Sequence, residues 1–177
     1  MLFPYLETRR ISLRPATGKD AMKIYDILFR LGRVQLPMFE AFNESFGRGS
    51  SASFVIMRKD DGDVVGNATL SELSPAGHVR ADVHVQAGEE EGVSADANAL
   101  TANFAFSMWR TRKVYFHSTD PDPCSLGFGL EHSAMVQVEA VLTDYVYFYG
   151  RRWDVHILAM YRDQWNTLGV DLLKQIV

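Results

Sequence analysis

The segment "HVRADVHVQAGEEEGVSADANALTANFAF" limits what this chain can fold into more than any other stretch. Its first eight residues alternate Val79, Ala81, Val83 and Val85 with His78, Arg80, Asp82 and His84, so a strand here has one apolar and one polar face. Further on, Ala97, Leu100, Thr101, Phe104 and Met108 recur at helical spacing as a buried stripe, and Ser94 stands where an N-cap belongs. Between strand and helix lies an acidic triplet, Glu89, Glu90 and Glu91, running into Gly92. A strand that hands over to a helix within a few residues points to a layered α/β domain.

The flanking residues extend that pattern. "RRISLRP" alternates as a strand until Pro15, and Ala21, Ile24, Tyr25, Leu28 and Leu31 then mark a helix capped by Thr17 and stopped by Gly32. Met38, Phe39, Phe42 and Phe46 predict a short, partly exposed helix. "SFVIMRKDDGDVVGNATLSEL" predicts a hairpin turning in "KDDGD". "KVYFHS" is a further strand. "PDPCSLGFGLEHSAM" permits a short helix weakened by Gly127 and Gly129, and "VLTDYVYFYG" with "WDVHILAMYR" forms a second hairpin turning at Gly150 and Arg151. The expectation is an α/β fold: a mixed, mostly antiparallel central sheet of about seven strands with helices on both faces. With 177 residues, 47% of them apolar, a single domain spanning 1–177 can bury a sizeable core.

Composition removes several functions. A formal net charge of −4 offers no broad basic face for a phosphate backbone, so nucleic acid is not an expected partner. The single cysteine, Cys124, supplies neither an internal disulfide nor a multi-thiolate site, and no metal is expected. No stretch has membrane-spanning length, and "MLFPYLETRRISLRP" lacks the uninterrupted apolar run of a secretion signal, so a cytoplasmic location is expected.

"LETRRISLRPATGKDA" resembles the opening strand and first-helix start of the GNAT superfamily of acyltransferases, in the branch that includes the RimJ and RimL ribosomal-protein acetyltransferases. "DYVYFYGRRWDVHILAMYRDQW" resembles the end of that branch. The resemblance implies a GNAT fold, in which acyl-coenzyme A lies in a wedge between splayed central strands and its pyrophosphate rests on the N-terminus of the next helix. Glycines there let backbone N–H groups approach the phosphates, and the helix dipole favours negative charge. Matching the helix places this loop on residues 89–94, where Gly92 fits the family pattern, Ser94 is small, Glu89 replaces Arg or Gln, and Glu90 replaces a common glycine. Three carboxylates beside a pyrophosphate repel it. "TDPDPCSLGFGLEH" also offers neither the asparagine nor the thiolate-protonating tyrosine that family members often carry.

Three functions are compatible with this degenerate loop. The first is transfer from acyl-phosphopantetheine on an acyl carrier protein, which has no pyrophosphate, to the amine of a small molecule in a biosynthetic pathway; Arg110, Arg112 and Lys113 would dock the carrier. The second keeps acyl- or acetyl-coenzyme A as donor, with the triplet turned to solvent. The third is a GNAT-like domain that binds a ligand or a protein without chemistry. Monomer and homodimer are both open.

Aminolysis of a thioester needs a base, an oxyanion donor and an acid for the thiolate. Asp82 and His84 share the polar face of their strand, which makes His84 the candidate base with Asp82 its partner or an anchor for the amine. His117, at the end of the next strand, is a further candidate base or acid. The donor site implied by the resemblance comprises Val83, Val85, Gly92, Val93 and Ser94. Cys124 invites a covalent mechanism but has no assigned activating base, so it is read as packing; Ser125 carries the same ambiguity. Phe39, Phe42, Tyr145, Tyr147 and Tyr149 come from regions that wall the acceptor site in the family, and they serve equally well as sheet-stabilising aromatics.

Overall fold

In the computed structural model, which describes residues 4–33 and 36–177, adjacent residues of a central strand bury toward opposite sides. Phe54 and Ile56 join one cluster and Val55, between them, joins another, so the sheet is covered on both faces. The seven strands are β1 (Ile11–Pro15), β2 (Ser50–Arg58), β3 (Val64–Ser71), β4 (His78–Val85), β5 (Lys113–Ser118), β6 (Val136–Phe148) and β7 (Arg151–Tyr161). They form one sheet in the order β1-β2-β3-β4-β5-β7-β6. All neighbours are antiparallel except β4 and β5. A parallel pair needs a crossover, and a helix supplies it. The helices are α1 (Ala21–Arg30), α2 (Phe39–Ser45), α3 (Val93–Met108), α4 (Leu130–Ser133), α5 (Arg162–Gln164) and α6 (Val170–Ile176), with a π turn at Trp165–Gly169 between the last two. The mixed, mostly antiparallel sheet with helices on both faces is thus present. The proposed second helix starts just beyond Val34 and Gln35, which lie outside the described residues.

Residues of α1 and α2 pack on the Val55 side. On the other side, α3 and α6 cover Phe54, Ile56, Val79, Val114, Phe116, Leu158 and Met160. Here α3 departs from the one-sided stripe. Every residue from 96 to 103 is buried, as are Val93, Ala105 and Phe106, whereas Met108 is 52% exposed. The cause is the C-terminal segment, to which sequence periodicity assigned no element. Trp165 is fully buried with its ring against that of Phe106 (centroids 6.0 Å apart), and its indole N–H points at Asn103 Oδ1 at 3.4 Å. A helix sandwiched this way is apolar or small-sided all round rather than striped.

Two ends shift by a residue or two. α3 begins at Val93 with Gly92 as its cap at φ 93°, so Ser94 sits in the first turn and is not the N-cap. The second hairpin turns on Tyr149 (φ 49°) and Gly150 (φ 74°), both left-handed as a two-residue hairpin turn demands, and Arg151 already belongs to β7. β6 starts at Val136, five residues before the expected Val141, and the ladder slips between Leu142 and Val146, where Asp144 has φ 53°.

Candidate functional site

The site begins where the parallel ladder fails. β4 and β5 pair from His78↔Lys113 to Ala81↔Phe116 and no further, so Asp82–Val85 of β4 and His117–Ser118 of β5 diverge. A cavity of about 280 Å³ opens in the splay, bounded by Arg80, Val83, Asn98, Phe116, His117 and Tyr145. Val85 turns to the core instead, half-buried.

A second cavity, of about 250 Å³, lies between the same sheet and the α1/α2 pair. Register builds its floor. Ser53 faces Thr69, which faces Asp82; Val55 faces Asn67, which faces His84. Two cross-strand rows therefore present hydroxyl, hydroxyl and carboxylate beside isopropyl, amide and imidazole. Its roof is apolar, from Ile24 and Leu28 of α1, Phe42 of α2 and Phe46 just after it. Asp82 and His84 line both cavities and mark their junction.

The charges at this junction arrive on arginines. Arg33, in the loop after α1, hydrogen-bonds the His84 ring and places Nη2 3.8 Å from Asp82 Oδ1. Arg80 Nη2 lies 3.0 Å from Asp82 Oδ2, and its Nη1 lies 2.9 Å from Glu72 Oε1. The Asp82 carboxylate is thus held by two guanidiniums, and the expected Asp82–His84 partnership is mediated by Arg33. Burial first, and Arg33 next, push His84 down from 6.5 to about 4, against the pull of Asp82. The imidazole is neutral at neutral pH. His117 faces it from the opposite wall and is also held below its ordinary value, by partial burial first and then by Arg80. Arg33 escaped the sequence reading because a lone arginine in a loop has no periodicity to betray it.

The acidic loop is not the bare cluster its sequence suggests. Glu89 Oε1 lies 2.8 Å from Arg58 Nη2 and Oε2 lies 3.1 Å from Arg58 Nε, a bidentate pair, while Gln86 Nε2 donates to Oε1 at 2.6 Å. This pairing with Arg58 is the main reason the Glu89 carboxyl is held below its usual range. One turn into α3, Asp96 is buried and accepts from Arg10 (2.7 and 3.0 Å) and from the Thr8 hydroxyl (2.7 Å). Arg10 is further stabilised in its charged form by Glu90. Both arginines come from the β1/β2 edge, so Glu89 and Asp96 are drawn to the side of the loop away from β5. The loop holds Gly92 close. A β-carbon there would sit 2.7 Å from Arg10 Nη2. Val93 is buried with its side chain in the core and its N–H donates to the Glu90 carbonyl at 3.2 Å, whereas Ser94 is exposed. The segment after Leu126 covers the first turn of α3: a β-carbon at Gly127 would lie 2.8 Å from the Ala95 nitrogen.

The remaining candidates divide. Phe42 lines the cavity under α1 and α2, but Phe39 packs edge-on against Tyr25 at 5.3 Å, outside it. Tyr145 lines the splay although it is 62% exposed, whereas Tyr147 (70%) and Tyr149 (83%) line neither cavity; the three exposed tyrosines alternate with half-buried Val146 and Phe148. Cys124 and Ser125 belong to a turn (Pro123–Leu126) and line neither cavity. Arg110, Arg112 and Lys113 sit at the start of β5, the end of the ladder away from the splay, and Lys113 is taken up by Glu139 at 2.6 Å. Among the described residues no group of three or more His, Cys, Asp or Glu side chains is placed to hold a metal ion, and no helix is long and apolar enough to cross a membrane.

No family model matches the sequence, and no curated protein matches it. Solved structures match its fold. The spermidine N-acetyltransferase SpeG of Vibrio cholerae, in complex with CoA and spermine, aligns with a TM-score of 0.73 and 15% identity over 89% of this chain and 99% of that one. A chimera of SpeG with hSSAT gives 0.74 and 16%, again over 89% and 99%. A manganese complex of the Vibrio cholerae enzyme gives 0.71 and 15%, over 91% and 96%.

Proposed function

Starting from the GNAT fold that these structures share with the chain, we propose that the protein is an N-acyltransferase that takes its acyl group from an acyl-coenzyme A and passes it to the amine of a small molecule. One observation carries the reading: two cavities, one in the strand splay and one under α1 and α2, meet at Asp82 and His84. A thioester in the first and an amine in the second would bring their reacting atoms together there.

In this reading the amine nitrogen attacks the thioester carbonyl, the C–S bond breaks, and the thiolate leaves with a proton. His84 is unprotonated at neutral pH, and with a pKa of about 4 it acts as a relay once the Arg33 guanidinium gives up its place on Nε2 to the amine: it takes the proton from the attacking nitrogen and releases it to water in the open splay. Asp82 anchors the amine. His117, on the far wall and neutral like His84, is the candidate to pass a proton from water in the splay to the thiolate. The backbone at Gly92 and Ser94, at the positive end of α3, is the candidate seat for the donor phosphates, the Val93 N–H being bonded to the Glu90 carbonyl.

Coenzyme A is favoured over a carrier-protein donor because one of the three carboxylates on which the latter rested is already paired. Glu89 is engaged by Arg58 and is not aimed at the splay, and the basic residues expected to dock a carrier lie at the wrong end of β5. SpeG is itself described in complex with CoA. The kinship with the RimJ/RimL branch, and a cytoplasmic location, belong to the same proposal and rest on the end motifs and composition. Calorimetry with acetyl-coenzyme A, paired with a transfer assay from acyl-phosphopantetheine on a carrier protein, tests it. Saturable coenzyme A binding is expected. No such binding together with carrier-dependent transfer would restore the carrier reading, and failure with every thioester would favour a binding domain.

A further inference from the structure

The cavity under α1 and α2 has a composition that selects among amines. Its floor carries one carboxylate, Asp82, and that group already faces Arg80 at 3.0 Å and Arg33 at 3.8 Å. Arg33 itself lines the cavity, so acid and base cancel there. A polyamine brings two or more ammonium groups, each of which loses hydration on entry and needs its own carboxylate. This floor has none to spare.

The roof asks for something else. Ile24, Leu28, Phe42 and Phe46 offer aliphatic and aromatic surface, and Tyr25 braces Phe42 edge-on at 5.3 Å. Beneath them Asn67, 8% exposed, has an Oδ1 with no hydrogen-bond partner, flanked on β4 by His84. That oxygen is sealed from solvent, so the Asn67 side chain brings neither a charge nor a free acceptor to the floor. The site thus pairs a short polar floor, ending at the acyl-transfer junction, with an apolar cover.

We infer that this cavity takes a mono-amine with an apolar, aryl or branched aliphatic, body and no second cationic centre, and that it discriminates against polyamines. The inference rests on the acyltransferase reading for its chemistry and on the cavity alone for its selectivity. Asn67 and Phe42 are the residues that set it: Asn67 is neutral where a second carboxylate would admit a second ammonium, and Phe42 supplies the apolar cover.

The test is a competition by calorimetry on the full chain with a saturating amount of coenzyme A, using phenethylamine and spermidine as probes, run beside a thiol-release assay with acetyl-coenzyme A. Phenethylamine is expected to bind at least about tenfold more tightly, and Phe42→Ala to weaken it by about tenfold while leaving coenzyme A binding unchanged. Asn67→Asp should narrow or reverse the preference by adding the missing charge. Tighter or equal binding of spermidine by the unaltered protein, binding of neither amine, or an unchanged ratio in Asn67→Asp would overturn the inference. The preference for phenethylamine without thiol release from either amine would leave the selectivity standing and remove the acyltransferase reading, so the two failures are distinguishable.

Discussion

Acids meet arginines in two places in this molecule, and the outcomes differ. At the start of α3, Glu89 and Asp96 are each gripped by one arginine in bidentate geometry and turned toward the β1/β2 edge. At the end of β4, Asp82 is shared between Arg80 and Arg33, lines two cavities, and has a neutral imidazole beside it. The first arrangement is closed and serves the fold, while the second is open and available to a ligand. Whether a carboxylate is part of the scaffold or part of a site depends on what holds its other oxygen and what space lies in front of it, neither of which the residue type records.

The contrast breaks most severely at Arg10. With Arg10→Ala, Asp96 keeps only the Thr8 hydroxyl in a buried position. A loss of about 3 kcal/mol, measured by urea unfolding, is expected from leaving such a charge without its partner. A loss within experimental error would mean that the closed pair is no more structural than the open one.

Arg58→Ala converts the loop into what its sequence suggests. Glu89 is freed, and coenzyme A should bind about tenfold more weakly, a change of the size expected for one unpaired charge near a phosphate. Adding Glu89→Gln should restore it. If the single change leaves binding as it was, the triplet does not face the donor in either state and the phosphate seat lies elsewhere.

The open arrangement is sharpened by titration. Arg33→Ala should raise the His84 pKa from about 4 part of the way to 6.5, because burial, the larger cause, remains. NMR of the imidazole reads this directly. The sign for stability follows: the unfolded chain takes up a proton below 6.5, whereas the native imidazole waits until about 4. His84 therefore contributes its full share above pH 6.5, and stability falls as the pH drops from 6.5 toward 4. His84→Gln should flatten that part of a melting-temperature profile. The smallest effect belongs to Arg112→Glu, at the far end of β5, which should leave donor affinity unchanged. A drop there would revive docking at that end.

Much of the fold was legible because it rests on short-range periodicity. The alternation of Val79 to Val85 placed β4 with its polar face, and Phe54 to Ile56 with Val64 to Leu70 placed the hairpin. What escaped depends on distance along the chain. Arg58 and Glu89 are 31 residues apart, Arg10 and Asp96 86 apart, and no local pattern pairs them. The slip at Asp144 escaped for another reason: a single non-glycine residue at positive φ shifts the register of the β6–β7 ladder, and sequence carries no marker for it. Of the residues lining the candidate site, Asp82, His84 and Phe42 were legible from strand and helix spacing. Arg33 and Asn67 were not, since one is a loop residue and the other is a single amide in a strand that the sequence marks only as half of a hairpin.

The burial of α3 on every side has a consequence in time. Trp165, which covers it, follows its partner Asn103 by 62 residues. During synthesis the helix leaves the ribosome before its outer cover exists, so its apolar side waits exposed while β5, β6 and β7 are made. The crossover between β4 and β5 is thus completed by the last helical segment, and a chain halted before Trp165 would present an unfinished protein to the cell's quality control, whatever the state of its sheet.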